Sequence, residues 1–244
     1  MTARPPGDDL RRAGAAAVTY NAPLGPERAR DLAARIGDAG ARRVLDLCCG
    51  RGALLCDVLR GSAGARGTGV DLDADSIAAA EARARADGVG DRARFEVGDA
   101  ARWLDEAPGE VDAVACVGGS HAFGGADGML AAFARSTDAR IALIGDGVYA
   151  SAPDERVVEM LGPLASSMVD YERRAAGAGW RVLWSDRSTL DEWDAFEGGW
   201  TEAVRALGTT DAAAFARERE AAYRLYRGVL EFGWFLLGRD GAAT

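Results

Sequence analysis

The run Val44-Leu45-Asp46-Leu47-Cys48-Cys49-Gly50-Arg51-Gly52 constrains this chain more than any other stretch. An apolar strand ends in a carboxylate, passes through a glycine-bearing turn and enters a helix near Gly52. Glycines at Gly50 and Gly52 bring the backbone close to a ligand, because no Cβ blocks the approach. The helix that follows offers unpaired N–H groups to a polar ligand.

Strands and helices then alternate. Strand-like runs fall at Arg43–Leu47, Gly67–Leu72, Ala93–Val97, Val111–Val117 and Ala139–Ile144. Helical stretches separate them near Gly52–Leu59, Ser76–Ala86, Ala100–Leu104 and Ala126–Ser136, and Pro26 opens a helix through Ile36 ahead of the first strand. The βα order predicts a doubly wound, mostly parallel sheet covered on both faces. After the fifth strand a helical region from Asp154 to about Ala178 leads to a strand at Trp180–Trp184. A helical insertion over 190–227 follows, and the chain closes on a strand at Phe232–Leu237. Residues 1–18, rich in Pro, Gly, Arg and Ala, are expected to be a flexible segment ahead of one domain over 19–244.

Composition removes several chemistries. The 244 residues include no lysine and no glutamine, one asparagine (Asn21) and one histidine (His121). Without lysine there is no Schiff base, no pyridoxal phosphate linkage and no Walker-type phosphate loop. The net charge of −9 argues against a nucleic-acid partner. Cys48, Cys49, Cys56 and Cys116 form no CxxC pair and have no histidine at ligand spacing, so no metal site is expected. No apolar run reaches bilayer length and the first residues lack a signal-peptide core, which predicts a cytoplasmic location.

Carboxylates recur at successive strand ends: Asp46 in the first, Asp71 in Gly69-Val70-Asp71-Leu72, and Asp99 in Val97-Gly98-Asp99-Ala100. Any one of them serves equally well as a helix N-cap or turn residue. A glycine-bearing turn also occurs in nicotinamide-binding folds, although a full GxGxxG is lacking here. Together the series resembles the class I S-adenosylmethionine-dependent methyltransferases, whose first motif is an acidic residue followed by glycines at alternate positions. Asp46, Gly50 and Gly52 match that motif, and Cys48 stands where the first glycine usually is. That departure is harmless only if Cys48 does not need a positive φ.

The resemblance covers roughly residues 20–150 and, more loosely, the final strand pair. It implies a Rossmann-like seven-stranded sheet with an antiparallel last strand, the 190–227 insertion before it roofing an acceptor pocket. It implies S-adenosyl-L-methionine as cofactor, held by Tyr20, Asp46, Cys48, Gly50, Asp71, Leu72, Asp99, Ala100 and Val117. Asp71 would accept the ribose hydroxyls and Asp99 the adenine amino group, while Asp46 would organise the loop and the methionine portion. The reaction implied is metal-independent SN2 methyl transfer to a small-molecule acceptor. Aminocarboxypropyl transfer or cyclisation with the same cofactor is the alternative, and a non-catalytic cofactor-binding protein is a further one. The oligomeric state is open.

On the acceptor side, the loop Gly118-Gly119-Ser120-His121-Ala122 follows the fourth strand, and the resemblance places it near the transferred methyl. His121 is the best-placed acid/base group, because a free imidazole titrates near 6.5; a positioning or structural role is open to it too. Tyr149, after the fifth strand with Asp146, is a second candidate. Glu197 is a third, a carboxylate on the stripe Trp193, Phe196, Glu197, Trp200. That spacing marks one helical face, which serves as core as readily as pocket wall, and the buried carboxylate needs a partner.

Overall fold

The computed structural model describes residues 7–106 and 110–239. Seven strands form one sheet: β1 (Arg43–Leu47), β2 (Arg66–Asp71), β3 (Ala93–Val97), β4 (Ala113–Val117), β5 (Ile141–Tyr149), β6 (Arg181–Arg187) and β7 (Leu230–Gly238). Their order is β3-β2-β1-β4-β5-β7-β6. The first five pair in parallel, and β7 runs antiparallel between β5 and β6. The winding reverses between β1 and β4, which opens a crevice beyond their carboxyl ends.

Side chains alternate across the sheet with the strand period of two. Val44, Ala113, Ala115, Ile141, Leu143, Trp234 and Leu236 face one core. It is shared with α2 (Pro26–Asp38), α3 (Ala53–Gly61) and α4 (Ala74–Ala86). Leu45, Leu47, Val114, Cys116, Ala142, Ile144, Phe235 and Leu237 face the other. There they meet α5 (Ala100–Glu106), α6 (Ala126–Ser136) and α8 (Met168–Gly177). Two layers of helix thus cover a sheet whose strands are apolar on both sides, which is why those strands read as continuous apolar runs. A short helix, α7 (Glu155–Leu161), precedes α8, so the 154–178 region is two helices with a break at Gly162-Pro163. No helix among the described residues is long and apolar enough to cross a membrane.

The amino-terminal reading needs correction. Residues 1–6 lie outside the described residues, but the rest of the expected flexible segment includes a helix, α1 (Asp8–Ala17). Asp8 and Asp9 in its first turn complement the helix dipole. The helix is held by tertiary contact with α9 (Leu190–Arg205). Gly14 lies against the Trp200 ring so closely that a Cβ there would sit 2.3 Å from ring carbons. Leu10, Val18 and Phe215 complete this third apolar cluster with Trp200 and Val204.

The 190–227 insertion is a helical pair, α9 and α10 (Thr210–Tyr226). A capping box starts α9: Thr189 Oγ1 accepts from Glu192 N (3.2 Å), and Glu192 Oε2 accepts from Thr189 N (2.8 Å). Its aromatic stripe is core, with Trp193 and Trp200 buried.

Candidate active site

A cleft of 460 Å³ opens where the winding reverses. Its floor is the β1–α3 turn together with the ends of β2 and β4, and α1 with residues 18–24 forms its roof. The turn is tight. Gly52 caps α3 at φ 69°, and a Cβ there would lie 2.7 Å from the Phe95 ring and 2.8 Å from Ala80. Only glycine fits both the backbone and the space.

Cys48 is the unexpected part of that turn. Its φ of 58° makes it the one non-glycine residue with positive φ among the described residues. The condition under which cysteine was harmless is not met, and the backbone here carries strain of about 1–3 kcal/mol. The Cys48 thiol lies 3.9 Å from the Gly119 carbonyl, so the side chain braces the turn against the loop after β4.

Two carboxylates face the cleft from neighbouring strand ends. Asp71 Oδ2 accepts from Gly50 N (2.8 Å) and Oδ1 from Asp73 N (3.0 Å). These bonds fix the carboxylate's orientation and leave each oxygen a lone pair for a ligand. Asp46 is 3% exposed. Burial first, and then the charge of Asp71, push its pKa up to about 7. A donor or cation bound in the cleft would favour its charged form.

Among the described residues, Tyr20, Cys48, Gly50, Leu72, Ala100, Val117 and His121 also line the cleft. Leu72 is 68% exposed at the rim, an apolar surface suited to a flat ring. The Tyr20 hydroxyl donates to Asp57 on α3, which ties the roof segment to the floor. His121 sits in the short 3-10 helix Ser120–Phe123 at the end of β4, exposed towards the cleft.

Three expected site residues are placed elsewhere. Asp99 is not among the residues lining the cleft; its Oδ1 accepts from Arg102 N (2.9 Å) and so caps α5. The Tyr149 hydroxyl donates to the Gly162 carbonyl (2.8 Å), and burial raises its pKa, so it stays a protonated structural donor. Glu197 is buried between α9 and α10. Its Oε2 is 2.8 Å from Arg219 Nε, and its Oε1 accepts from the Tyr226 hydroxyl at 2.8 Å. The Arg219 guanidinium lies 3.8 Å from the Trp200 ring centre. The carboxylate has its cation inside the helical pair and cannot serve the cleft. The insertion itself supplies no cleft-lining residue; it supports α1, which does.

Sequence reasoning also passed over residues that line the cleft. Arg12 reaches from α1 to Asp73 and to Asp75 (2.9 Å) at the start of α4, so it clasps the roof to the rim. Arg51, half-buried between the two turn glycines, has no hydrogen bond or ion pair with any described residue. It was visible in the motif, and only its lack of a partner needed coordinates.

A methyltransferase-domain family model matches residues 44–139. Solved structures match over nearly the whole chain. A methyltransferase from Geobacter sulfurreducens, solved with S-adenosyl-L-homocysteine, shares 27% identity at a TM-score of 0.80, covering 98% of this chain and 100% of that one. A methyltransferase from Thiobacillus denitrificans, also solved with S-adenosyl-L-homocysteine, shares 27% at 0.78 with the same coverage. Residues 44–139 thus match a methyltransferase domain, and the chain has the fold of S-adenosylmethionine-dependent methyltransferases. YjhP from E. coli is similar to this methyltransferase at 26% identity and a TM-score of 0.79, over 94% of this chain and 100% of YjhP. No curated protein sequence matches it.

Proposed function

We propose that this methyltransferase binds S-adenosyl-L-methionine in the cleft between α1 and the strand ends and methylates a small-molecule acceptor without a metal. The observation that carries this is the Asp71 carboxylate, oriented by two backbone N–H groups at the carboxyl end of β2 and open to the cleft. A ribose diol presents two donors at one such acceptor. Leu72, Ala100, Val117 and Gly118 all line the cleft; in this reading the first two take the adenine and the last two the opposite end. In the same reading Asp46 takes the ammonium group, and Arg51, without a partner among the described residues, takes the carboxylate of the amino-acid end.

When bound, the cofactor supplies an electrophilic methyl group on a sulfonium centre. The chain's own work is alignment, exclusion of water and proton handling. The α1 roof, clasped by Arg12, shields the cleft. His121 takes the proton from an acceptor that starts protonated. The 460 Å³ volume of the cleft and the net charge of −9 favour a small acceptor over nucleic acid. The four cysteines are free thiols, which suits a reducing, cytoplasmic setting.

The test is calorimetry with S-adenosylhomocysteine. Micromolar-range binding is expected for the wild type, and none for NAD. Asp71→Ala loses charge-assisted hydrogen bonds worth about 1.5–3 kcal/mol each, so affinity should fall at least about tenfold in a variant whose circular dichroism is unchanged. Binding of NAD but not of the adenosyl ligand would sink the proposal. Product analysis separates the alternative chemistry: S-adenosylhomocysteine marks methyl transfer, and methylthioadenosine marks aminocarboxypropyl transfer.

A further inference from the structure

Beneath the loop that carries His121 lies a buried carboxylate with no part in the scheme above. Asp146, in the middle of β5, is 6% exposed. Ser120 Oγ donates to its Oδ1 (3.0 Å), Gly147 N donates to the same oxygen (2.9 Å), and the Tyr171 hydroxyl donates to Oδ2 (3.2 Å). Tyr171 is fully buried and stacks on Phe235 with ring centres 4.3 Å apart, so this donor is fixed. Ser120 is the first residue of the 3-10 turn that holds His121. The same turn is fastened by Gly118 N donating to the Gly145 carbonyl (2.8 Å) and Gly125 N donating to the Ser120 carbonyl (2.9 Å). The loop over the cleft is therefore anchored to two successive residues of β5.

Hydrogen bonding alone does not require a charge at this position. An asparagine has the same size and could still accept from Ser120. Burial opposes ionisation and raises the pKa of Asp146, against its hydrogen bonds and the nearby His121, which favour the charged form. Other charged groups around the turn are already paired or lie on other elements. Asp127 of α6 is 3.1 Å from Arg174 of α8, and Arg102 of α5 is 2.7 Å from Glu106. Asp46 and the Cys48 thiol approach from β1 and its turn. The Cys116 thiol on β4 is held neutral by its hydrogen bond with Cys48 and by burial. Asp146 is the carboxylate joined directly to the His121 turn.

We infer that Asp146 is a positioning residue for His121: through Ser120 it holds the turn over the cleft, and its charge supports the imidazolium formed when His121 takes a proton. Its partner Tyr171 keeps the carboxylate in place from α8. This inference rests on the reading of His121 as the base, but it makes a statement about the free protein that can be checked without an acceptor.

Because the chain has one histidine, a single imidazole resonance reports on this site. The experiment is an NMR pH titration of that resonance in the cofactor-free protein. In Asp146→Asn the titration midpoint should move to lower pH by about half a unit or more, because a nearby negative charge is gone. Ser120→Ala keeps the charge and cuts the link; it should displace the resonance towards its unfolded-chain position and move the midpoint less. Should Asp146→Asn fail to fold, Tyr171→Phe is read in its place and should move the midpoint in the same direction by a smaller amount. A His121 resonance with unchanged position and midpoint in the folded variants overturns the inference. Turnover of His121→Ala tests the base separately, so the two failures are distinguishable.

Discussion

Cys48 has a φ of 58° in a turn that also holds Gly50 and Gly52. Positive φ costs a residue with a Cβ about 1–2 kcal/mol, and a β-branched one more. Its thiol touches the loop after β4, which recovers part of that cost. Cys48→Gly should therefore be at least as stable as the wild type, and Cys48→Val clearly less stable, in denaturant unfolding. If valine proved as stable as cysteine, the turn would have to relax away from φ 58°. His121 belongs to the same scale. If it is the base, His121→Ala should lower turnover about 10²–10⁴-fold while S-adenosylhomocysteine affinity stays within about twofold in calorimetry. A loss confined to the acceptor's KM would make it a positioning group instead. At this scale the floor of the cleft was legible and much of the rest was not. Asp46, Gly50 and Asp71 announce themselves because strand ends and turn glycines are local signals. Glu197 and Tyr149 misled because a polar group near an apolar run shows its need for a partner without showing which one it has. Arg219, 22 residues downstream, and the Gly162 carbonyl are the answers.

Among the elements, α1 is the one that sequence patterning missed. Leu10 is its one large apolar side chain, and an isolated helix of ten residues is marginal in water. It forms because Gly14 lets it lie on the Trp200 ring, nearly two hundred residues away in sequence. Gly14→Ala raises intrinsic helix propensity but drives a Cβ into that ring. Contact should win over propensity. The expected outcome is faster proteolytic cleavage within the first 25 residues and weaker S-adenosylhomocysteine binding, because α1 lines the cleft. Cleavage as slow as in the wild type would show that α9 gives way instead. By contrast, the parallel strands were legible because they are buried on both faces. β5 and β7 run longer than their apolar cores, since Gly145, Asp146 and Gly147 interrupt the apolar run while their backbones still pair with Trp234, Gly233 and Phe232. Main-chain pairing leaves no mark on hydropathy.

For the molecule as a whole, the cleft sets a pH dependence of stability. Asp46 is held in the protein with its pKa near 7, well above an ordinary aspartate, chiefly by burial. A folded-state pKa raised above the unfolded value means the folded form prefers the proton. The associated stability is complete below the unfolded pKa of about 3.9 and is lost as pH rises through 7. The cofactor-free protein should therefore lose stability between about pH 4 and pH 8 from this group alone, by at most about 4 kcal/mol. Asp46→Asn removes the penalty. Its Tm should exceed that of the wild type at pH 8, and the gap should narrow steadily as pH falls and close only at about pH 4. Ligand binding should act in the opposite sense. If an ammonium group sits beside Asp46 it stabilises the carboxylate, so near pH 7 binding should release a fraction of a proton. That release is measured as a dependence of the calorimetric enthalpy on the ionisation enthalpy of the buffer, and Asp46→Asn should abolish it. A wild type whose Tm exceeds that of Asp46→Asn at pH 8 and whose binding enthalpy ignores the buffer would mean that Asp46 is already ionised in the free cleft. The strand-end carboxylate would then be a structural anchor of the turn, with its charge balanced before any ligand arrives.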